Sequence, residues 1–368
     1  MVGPGCDGLS ILWYQRLVKF GALRVQSKAQ PTLLGRPWGM LGPMECLSSG
    51  GGSTCDDDEA RGKESTSWSS LPLADLHRHL DGSLRPETVV ELASARGLDV
   101  PSDLPFVAGM GLEAALARFE FTLSLLQEPE SVRRVASEIC EDAVDDHVTT
   151  LEIRFAPQLH RGAVPEEIVD AALDGIGSRA GLLLCGLYGE PPTVLEHLVS
   201  IAQSRPGVVG IDLAGGPAPG HSFGLSDYGP AFRRAETLGL GRTVHAAEGR
   251  GPGEIAVAIE ELRAQRIGHG TTLLNDPAVL DLVLERGTVL EACPTSNYQV
   301  GVIETVASHP IARWVQLGVA VCVNTDNTLL SRVTVSEELS RVASIPQMTT
   351  SAVRSVIQTG HSAAFRRR

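Results

Sequence analysis

Short apolar runs alternate with longer amphipathic segments from residue 71 onward. The apolar runs predict eight strands, at residues 74–80, 149–156, 181–188, 208–214, 242–247, 266–269, 288–294 and 320–325. Segments with helical spacing lie between them, at residues 166–179, 192–204, 253–264, 277–286 and 309–317. Eight strands that alternate with helices predict an α/β fold, a parallel (β/α)8 TIM barrel, with an open doubly wound sheet as the alternative.

The connection between the first two predicted strands is unusually long, and we expect extra helices inserted there, between residues 86 and 146. A stripe of apolar residues recurs at helical spacing on one face of this insertion: Leu112, Leu116, Phe119, Leu123 and Leu126. Packing in the core is the simpler interpretation for most of the stripe. Insertions after barrel strands lie over the functional face, so Phe119 is also a candidate for lining a substrate lid.

The first 70 residues differ in composition from the rest of the chain. They begin mildly basic and become rich in Ser, Gly and acidic residues after residue 47. We predict that residues 1–70 are mostly disordered. They are either a weak transit peptide or the result of a translation start upstream of Met40 or Met44. Residues 71–368 are predicted to form the barrel domain.

Composition narrows the class of partner. Of the 368 residues, 43% are hydrophobic and 20% are charged, which is typical of a globular protein. The formal net charge of -13 argues against a nucleic-acid or anionic-membrane surface and favours a small-molecule partner. We see no apolar stretch long enough to cross a bilayer. Seven cysteines without a Cys-x-x-Cys pair indicate reduced thiols and a cytoplasmic location.

Two histidines one residue apart, His77 and His79, end the first predicted strand. Alternate residues of a strand point to the same face, so both imidazoles can bind one metal ion. Further polar groups end the fifth, sixth and eighth predicted strands, where barrel enzymes carry functional groups: His245, Glu248, His269 and Asp326. Three histidines and a carboxylate suit zinc, which lowers the pKa of water enough for hydrolysis at neutral pH. His269 and Glu248 are candidates for moving the protons.

Six motifs occur in the order seen in adenosine deaminases of the amidohydrolase superfamily, and the chain resembles that family from about residue 71 to residue 365. The motifs are Leu-His-Arg-His-Leu-Asp-Gly-Ser at 76–83, Glu-Ile-Arg-Phe-Ala-Pro at 152–157, His-Ala-Ala-Glu at 245–248, Arg-Ile-Gly-His-Gly at 266–270, Cys-Pro-Thr-Ser-Asn at 293–297 and Asn-Thr-Asp at 324–326.

The resemblance implies one zinc ion held by His77, His79, His245 and Asp326. It implies that Glu248 protonates the purine ring at N1 and that His269 assists deprotonation of the water. It also implies two substrate contacts: the backbone N–H of Gly215 at the purine edge, and Asp81 at the ribose.

Three residues depart from the family pattern. Ala247 replaces the usual Gly of a His-Ala-Gly-Glu motif, and Gly216 stands where an acidic residue commonly follows the substrate-binding glycine. Asn327 replaces the second Asp of an Asp-Asp pair. The family's second carboxyl faces purine N7 and must be protonated to donate, whereas an amide donates without titrating. We therefore expect purine binding to survive and substrate preference to shift.

The resulting hypothesis is zinc-dependent hydrolytic deamination of adenosine, or a closely related 6-aminopurine nucleoside, to the 6-oxo product and ammonia. Deamination of adenine, or of a modified adenosine such as aminofutalosine, is one alternative. A catalytically inactive nucleoside-binding protein is another, and a general metal-dependent hydrolase on the same barrel is a third. The sequence does not indicate an oligomeric state.

Overall fold

The strands form one closed parallel barrel in a computed structural model that describes residues 68–217 and 221–365. Each strand pairs with the next in chain order. The strands are β1 (Leu73–His79), β2 (Val148–Phe155), β3 (Gly181–Leu187), β4 (Val208–Ala214), β5 (Gly241–Ala246), β6 (Arg266–His269), β7 (Val289–Ala292) and β8 (Val321–Val323). A parallel bridge between Arg78 and Asp326 joins the two ends of the sheet. The barrel is therefore confirmed, and the open doubly wound sheet is excluded.

Helices cover the outside of the barrel and fill the long connection after β1. In the described ranges they are α1 (Pro86–Ala95), α2 (Leu112–Leu125), α3 (Pro129–Asp145), α4 (Pro165–Ile176), α5 (Pro192–Gln203), α6 (Gly229–Thr237), α7 (Gly253–Glu260), α8 (Pro277–Arg286), α9 (Pro294–Gln299), α10 (Ile311–Gln316), α11 (Thr328–Ser331), α12 (Val335–Ala343) and α13 (Thr350–Ala363). Six of them begin with proline, whose fixed φ suits the first helical position. Three of the helices, α1 to α3, lie between β1 and β2.

The observed strand bounds differ most from the predicted ones in the last two strands, β7 and β8. The apolar run 288–294 forms a strand only over Val289–Ala292, because Cys293 already precedes the first turn of α9. The run 320–325 forms a strand only over Val321–Val323. Beyond that strand, the side chain of Asn324 accepts a hydrogen bond from the backbone N–H of Leu76, 2.8 Å away. Both predicted strands were too long: the first run passes into α9, and the second continues past β8 only in isolated backbone contacts with β7 and β1.

Charged side chains lie inside the barrel, beneath the carboxyl ends of the strands. We call Glu152, Arg154, Asp212, Arg266 and Glu291 the interior network, and all five are buried. Arg154 donates to Asp212 at 2.8 Å and to Glu291 at 2.9 Å. Arg266 donates to Glu291 at 2.6 Å and to Glu152 at 2.5 Å. Buried charges are tolerated when they are paired in this way, and the network links four strands below the mouth of the barrel.

The disorder predicted for residues 1–70 falls outside the described residues, except for residues 68–70, and it stays a prediction. Among the helices that the structure describes, none has both the length and the apolar composition needed to cross a membrane.

Candidate active site

A cavity opens at the carboxyl ends of the strands, which we call the mouth of the barrel. The structure brings nine of the ten predicted site residues to the wall of this cavity: His79, Asp81, Phe119, Gly215, His245, Glu248, His269, Asp326 and Asn327. The tenth, His77, is fully buried directly beside them, with its ring centroid 4.5 Å from that of His245. The residues therefore converge on one place although they are spread over some 250 positions of the chain.

Four potential ligand atoms meet at the floor of the cavity. His245 Nε2 lies 3.1 Å from His77 Nε2 and 3.2 Å from His79 Nε2. Asp326 Oδ1 lies 3.5 Å from His77 Nε2 and 3.4 Å from His79 Nε2. Ligands held tetrahedrally at zinc-to-nitrogen distances of 2.0–2.1 Å stand about 3.3 Å apart. The residues therefore fit a tetrahedral divalent metal such as zinc.

Carboxylates of the interior network orient two of these histidines. His77 Nδ1 lies 2.7 Å from Glu291 Oε2, and His245 Nδ1 lies 3.0 Å from Asp212 Oδ2. A proton on Nδ1 donates to each carboxylate and leaves the Nε2 lone pair free for a metal. Burial lowers the pKa of His77, and it also opposes charge on His245, where the negative charge of Asp212 raises the pKa instead.

Sequence reasoning missed these two carboxylates as functional residues. Asp212 and Glu291 lie within the apolar runs that predict β4 and β7. A charged residue in a strand that is buried on both faces requires a partner, so its position alone was a usable signal. The identity of the partner was not readable, because His77 and Glu291 are 214 positions apart.

Glu248 and His269 face each other across a third polar residue, Asn297. Asn297 Nδ2 donates to Glu248 Oε1 at 3.3 Å and lies 3.1 Å from His269 Nδ1. Burial raises the pKa of Glu248, and burial lowers the pKa of His269 to about 3. Both groups are therefore biased toward their neutral forms. Asn297 is the last residue of the Cys-Pro-Thr-Ser-Asn motif at 293–297, but we did not predict it as a site residue.

Several backbone positions at the mouth have the left-handed conformation that favours glycine. Ala247, His269 and Asp326 follow or end β5, β6 and β8 with φ of 56°, 67° and 62°. Non-glycine residues in this region cost roughly 1–2 kcal/mol each. Gly215, with φ of 75°, adopts the same region without that cost. The Gly-to-Ala departure at position 247 thus falls on a residue where the backbone demands positive φ.

The departure at Gly216 has a local packing explanation, whereas the packing of Asn327 against Gly82 would suit an aspartate equally well. A Cβ at Gly216 would lie 2.8 Å from Arg250 Nη1, so the arginine occupies the space that a side chain at 216 would need. A Cβ at Gly82 would lie 2.0 Å from Asn327 Oδ1, so Asn327 fits only because residue 82 is glycine. Asp81 Oδ1 and Asn327 Oδ1 are buried without a hydrogen-bond partner in the described ranges. Burial raises the pKa of Asp81 to about 7.

Helix α2 forms one wall of the cavity. Its stripe of apolar residues is divided between two roles. Leu126, just after the helix, is buried in the core. Leu112, Leu116 and Phe119 are half-buried and line the cavity, and Leu123 is both buried and part of the wall. The Phe119 ring meets His79 edge-on, with centroids 6.2 Å apart. Phe119 therefore borders the cavity, its role in a substrate lid stays a prediction, and the core interpretation holds only for part of the stripe.

A parallel barrel that gathers metal-ligand groups and an acid at the carboxyl ends of its strands has the architecture of a metal-dependent barrel hydrolase. The sequence model of the family described as adenosine deaminase matches residues 72–367. The chain therefore belongs to the adenosine deaminase family.

Comparison with individual proteins also supports this family. An adenosine deaminase of Enterococcus faecalis is 33% identical over 314 residues, which is 80% of this chain and 92% of that protein. An adenosine deaminase of Serratia proteamaculans is 35% identical over 81% of this chain and 95% of its own length. Among solved structures, an amidohydrolase from Burkholderia ambifaria with bound Zn superposes with a TM-score of 0.72. It is 23% identical and covers 84% of this chain and 89% of its own, so it supports the fold.

Proposed function

We propose that this protein is a zinc-dependent hydrolase that deaminates adenosine to the 6-oxo nucleoside and ammonia. The observation that carries the proposal is the convergence of four ligand atoms and a buried acid on one cavity in a chain of this family. The partner is a small purine nucleoside. The four cysteines in the described ranges are free, and on that basis we also propose a cytoplasmic location.

His77, His79, His245 and Asp326 would hold one zinc ion per chain. Zinc bound there would polarise a water molecule and lower its pKa toward neutrality. The protein's own contribution is the orientation of the ligands. Glu291 and Asp212 fix the rings of His77 and His245 from behind, so that both Nε2 atoms point to the same centre.

Glu248 is the proposed proton donor to purine N1. Burial raises the pKa of its carboxyl, which favours the protonated form that a general acid requires. Because Asn297 donates to Oε1, the proton is free to reside on Oε2. Protonation of N1 makes C6 electrophilic, and the water oxygen bonds to C6 as one water proton passes to His269. That proton would move on to N6, so that the C6–N6 bond breaks to release ammonia, and the hydroxyl proton left on C6 would return to Glu248 as the 6-oxo group forms. His269, whose resting imidazole is neutral, would assist in removing the proton of the water beside Asp326.

The remaining cavity residues would position the nucleoside. The backbone N–H of Gly215 would meet the purine edge, where the absent side chain allows close approach. Asp81 would accept from the ribose. Asn327 Oδ1 lies against Gly82, which leaves its NH2 as the group that would donate to purine N7. Phe119 would cover the apolar face of the base.

One observation favours a second candidate, the deamination of a modified adenosine. Arg250 donates through Nε to Glu254, at 2.8 Å. Its Nη1 and Nη2 atoms are buried and have no hydrogen-bond partner in the described ranges, and Nη1 lies next to Gly216, the residue after the cavity residue Gly215. Two unpaired guanidinium donors suit an anionic substituent on the nucleoside. Arg250→Gln should then reduce turnover of such a substrate more than that of adenosine.

Ammonia release by metal-analysed protein tests the whole proposal. Adenosine, adenine, adenosine monophosphate and a carboxylate-bearing adenosine derivative would be compared at matched concentrations. We expect one zinc per chain and ammonia from adenosine, with a matching change in purine absorbance. Tight nucleoside binding without ammonia from zinc-replete protein would identify an inactive binding protein. Ammonia from adenine alone would identify the free base as the substrate.

A further inference from the structure

The segment that follows the last helix reaches the amino-terminal end of the barrel. Phe365 lies against the first residues of β4 and β5, where two glycines make room for its ring. A Cβ at Gly241 would lie 2.0 Å from Phe365 Cγ, and a Cβ at Gly210 would lie 2.8 Å from Cδ2. Neither glycine has positive φ, so the ring, and not the backbone conformation, excludes a side chain there.

The same segment contacts the interior network in three ways. The Phe365 ring lies over the guanidinium of Arg266, with Cζ 3.6 Å from the ring centroid. The backbone N–H of Phe365 donates to Glu152 Oε1 at 2.5 Å. The carbonyl of Ala363 accepts from Arg266 Nη1 at 2.9 Å. The segment therefore covers the arginine and supplies two of the hydrogen bonds that hold it and its partner carboxylate in place.

A continuous series of contacts runs from this segment to the metal-ligand cluster. Arg266 Nε donates to Glu291 Oε1 at 2.6 Å, and Glu291 Oε2 lies 2.7 Å from His77 Nδ1. Three contacts thus separate Phe365 from the ring of His77. Glu291 is fully buried, so the direction of its carboxylate depends on its few partners inside the barrel.

We propose that Phe365 is a positioning residue for the metal site: its ring seals the amino-terminal end of the barrel over Arg266 and so holds Glu291 against His77. The inference rests on the zinc site of the proposed function. Removing the ring admits water to Arg266, weakens its hold on Glu291 in the higher dielectric, and loosens the orientation of His77. The effect appears at the metal although the ring lies at the opposite end of the barrel.

Zinc release to an excess of a chromophoric chelator tests this inference. Full-length Phe365→Ala protein should release zinc about fivefold faster than the wild type, below the ten- to hundredfold typical for loss of a direct partner of a ligand. Phe365→Leu, which keeps apolar bulk without a ring, gives the same test if the alanine variant fails to fold. Phe232→Leu on α6 is the control, because Phe232 is a fully buried ring that lies outside the network, whereas Phe365 is half-buried. It should lower thermal stability without changing the release rate.

Two further measurements separate positioning from general destabilisation. Gly241→Ala should displace the ring from the other side and also accelerate zinc release. Its effect should disappear in the Phe365→Ala background, because the two changes act through one contact. The visible absorption of Co²⁺-substituted protein should change in Phe365→Ala but not in Phe232→Leu.

The outcomes distinguish this inference from the proposed function. Equal zinc-release rates for Phe365→Leu, Phe232→Leu and the wild type would overturn the positioning role and leave the proposed function intact. Additive effects of Gly241→Ala and Phe365→Ala would also overturn it. A wild-type protein that binds no zinc would overturn the proposed function itself.

Discussion

The interior network and the mouth of the barrel differ in how their buried oxygen atoms are paired. In the network, all six carboxylate oxygens of Glu152, Asp212 and Glu291 accept hydrogen bonds. At the mouth, Asp81 Oδ1 and Asn297 Oδ1 are buried without a partner in the described ranges, as is Asn327 Oδ1, which lies against Gly82. Unpaired buried groups are costly unless a ligand pairs them. The network thus contributes to a fixed framework, and the mouth keeps hydrogen-bonding capacity for what it binds.

The interior network and the mouth also differ in the pKa values of their carboxyl groups and in backbone conformation. Burial would raise the pKa of Asp212, but His245 and Arg154 hold it well below its usual range. At the mouth, burial raises the pKa of Asp81 and of Glu248. The left-handed residues Ala247, His269 and Asp326 also lie at the mouth. The mouth therefore combines left-handed residues with carboxyl groups whose pKa is raised toward neutrality, as a reaction site would need.

Glu248→Gln should remove most of the activity at the mouth and leave the interior network unchanged. The amide cannot donate the proton that the carboxylic acid supplies, so turnover of adenosine should fall by about 10²–10⁴. Zinc content and the free energy of unfolding should stay close to those of the wild type, because the two side chains are nearly isosteric. Ammonia release and metal analysis check both points, with the exposed Glu304→Gln as control. An inactive variant that has also lost its metal would contradict the proton-donor role.

Glu291→Gln should weaken the interior network and lower the free energy of unfolding. The change leaves Arg154 and Arg266 without the charge that both share, and breaking a buried pair costs about 3–5 kcal/mol. Urea unfolding at constant pH measures the loss. Glu285→Gln on α8, an exposed position, should change the free energy of unfolding by less than about 0.5 kcal/mol. A similarly small loss for Glu291→Gln would mean that the network is not the framework that we describe.

The division also explains what the sequence could reveal. Strands buried on both faces read as apolar runs, so the run 208–214 matches β4 residue for residue. The metal-ligand residues were recognisable because His77 and His79 alternate along one strand. The contact of Phe365 with Arg266 could not be predicted, since neither residue type nor spacing links the two. The positive φ of Ala247 could not be predicted either, because alanine has no preference for that conformation.

Glu338→Gln should reduce the dependence of folding stability on pH. Glu338 on α12 accepts from the backbone N–H of Thr295 at 2.7 Å, and burial raises its pKa to about 7. Folding therefore favours the protonated acid, and the wild type loses stability as pH rises from about 4.5 toward about 7. The amide does not titrate, so the stability of the variant should decline by roughly 1–3 kcal/mol less over this window. Urea midpoints between pH 4.5 and pH 8 measure the difference, and parallel curves would contradict it.

Ala247→Gly tests the strain at the mouth and has the smallest expected effect. Glycine relieves the roughly 1 kcal/mol that alanine costs at φ of 56°, but it adds backbone entropy to the unfolded chain. We expect a net change between zero and a stabilisation of about 1 kcal/mol. Ala117→Gly, at an exposed position within α2, should instead destabilise by about 0.5–1 kcal/mol. Thermal unfolding compares the two variants. Equal destabilisation would mean that the mouth holds no backbone strain, and the contrast with the network would then rest on hydrogen bonding and pKa values alone.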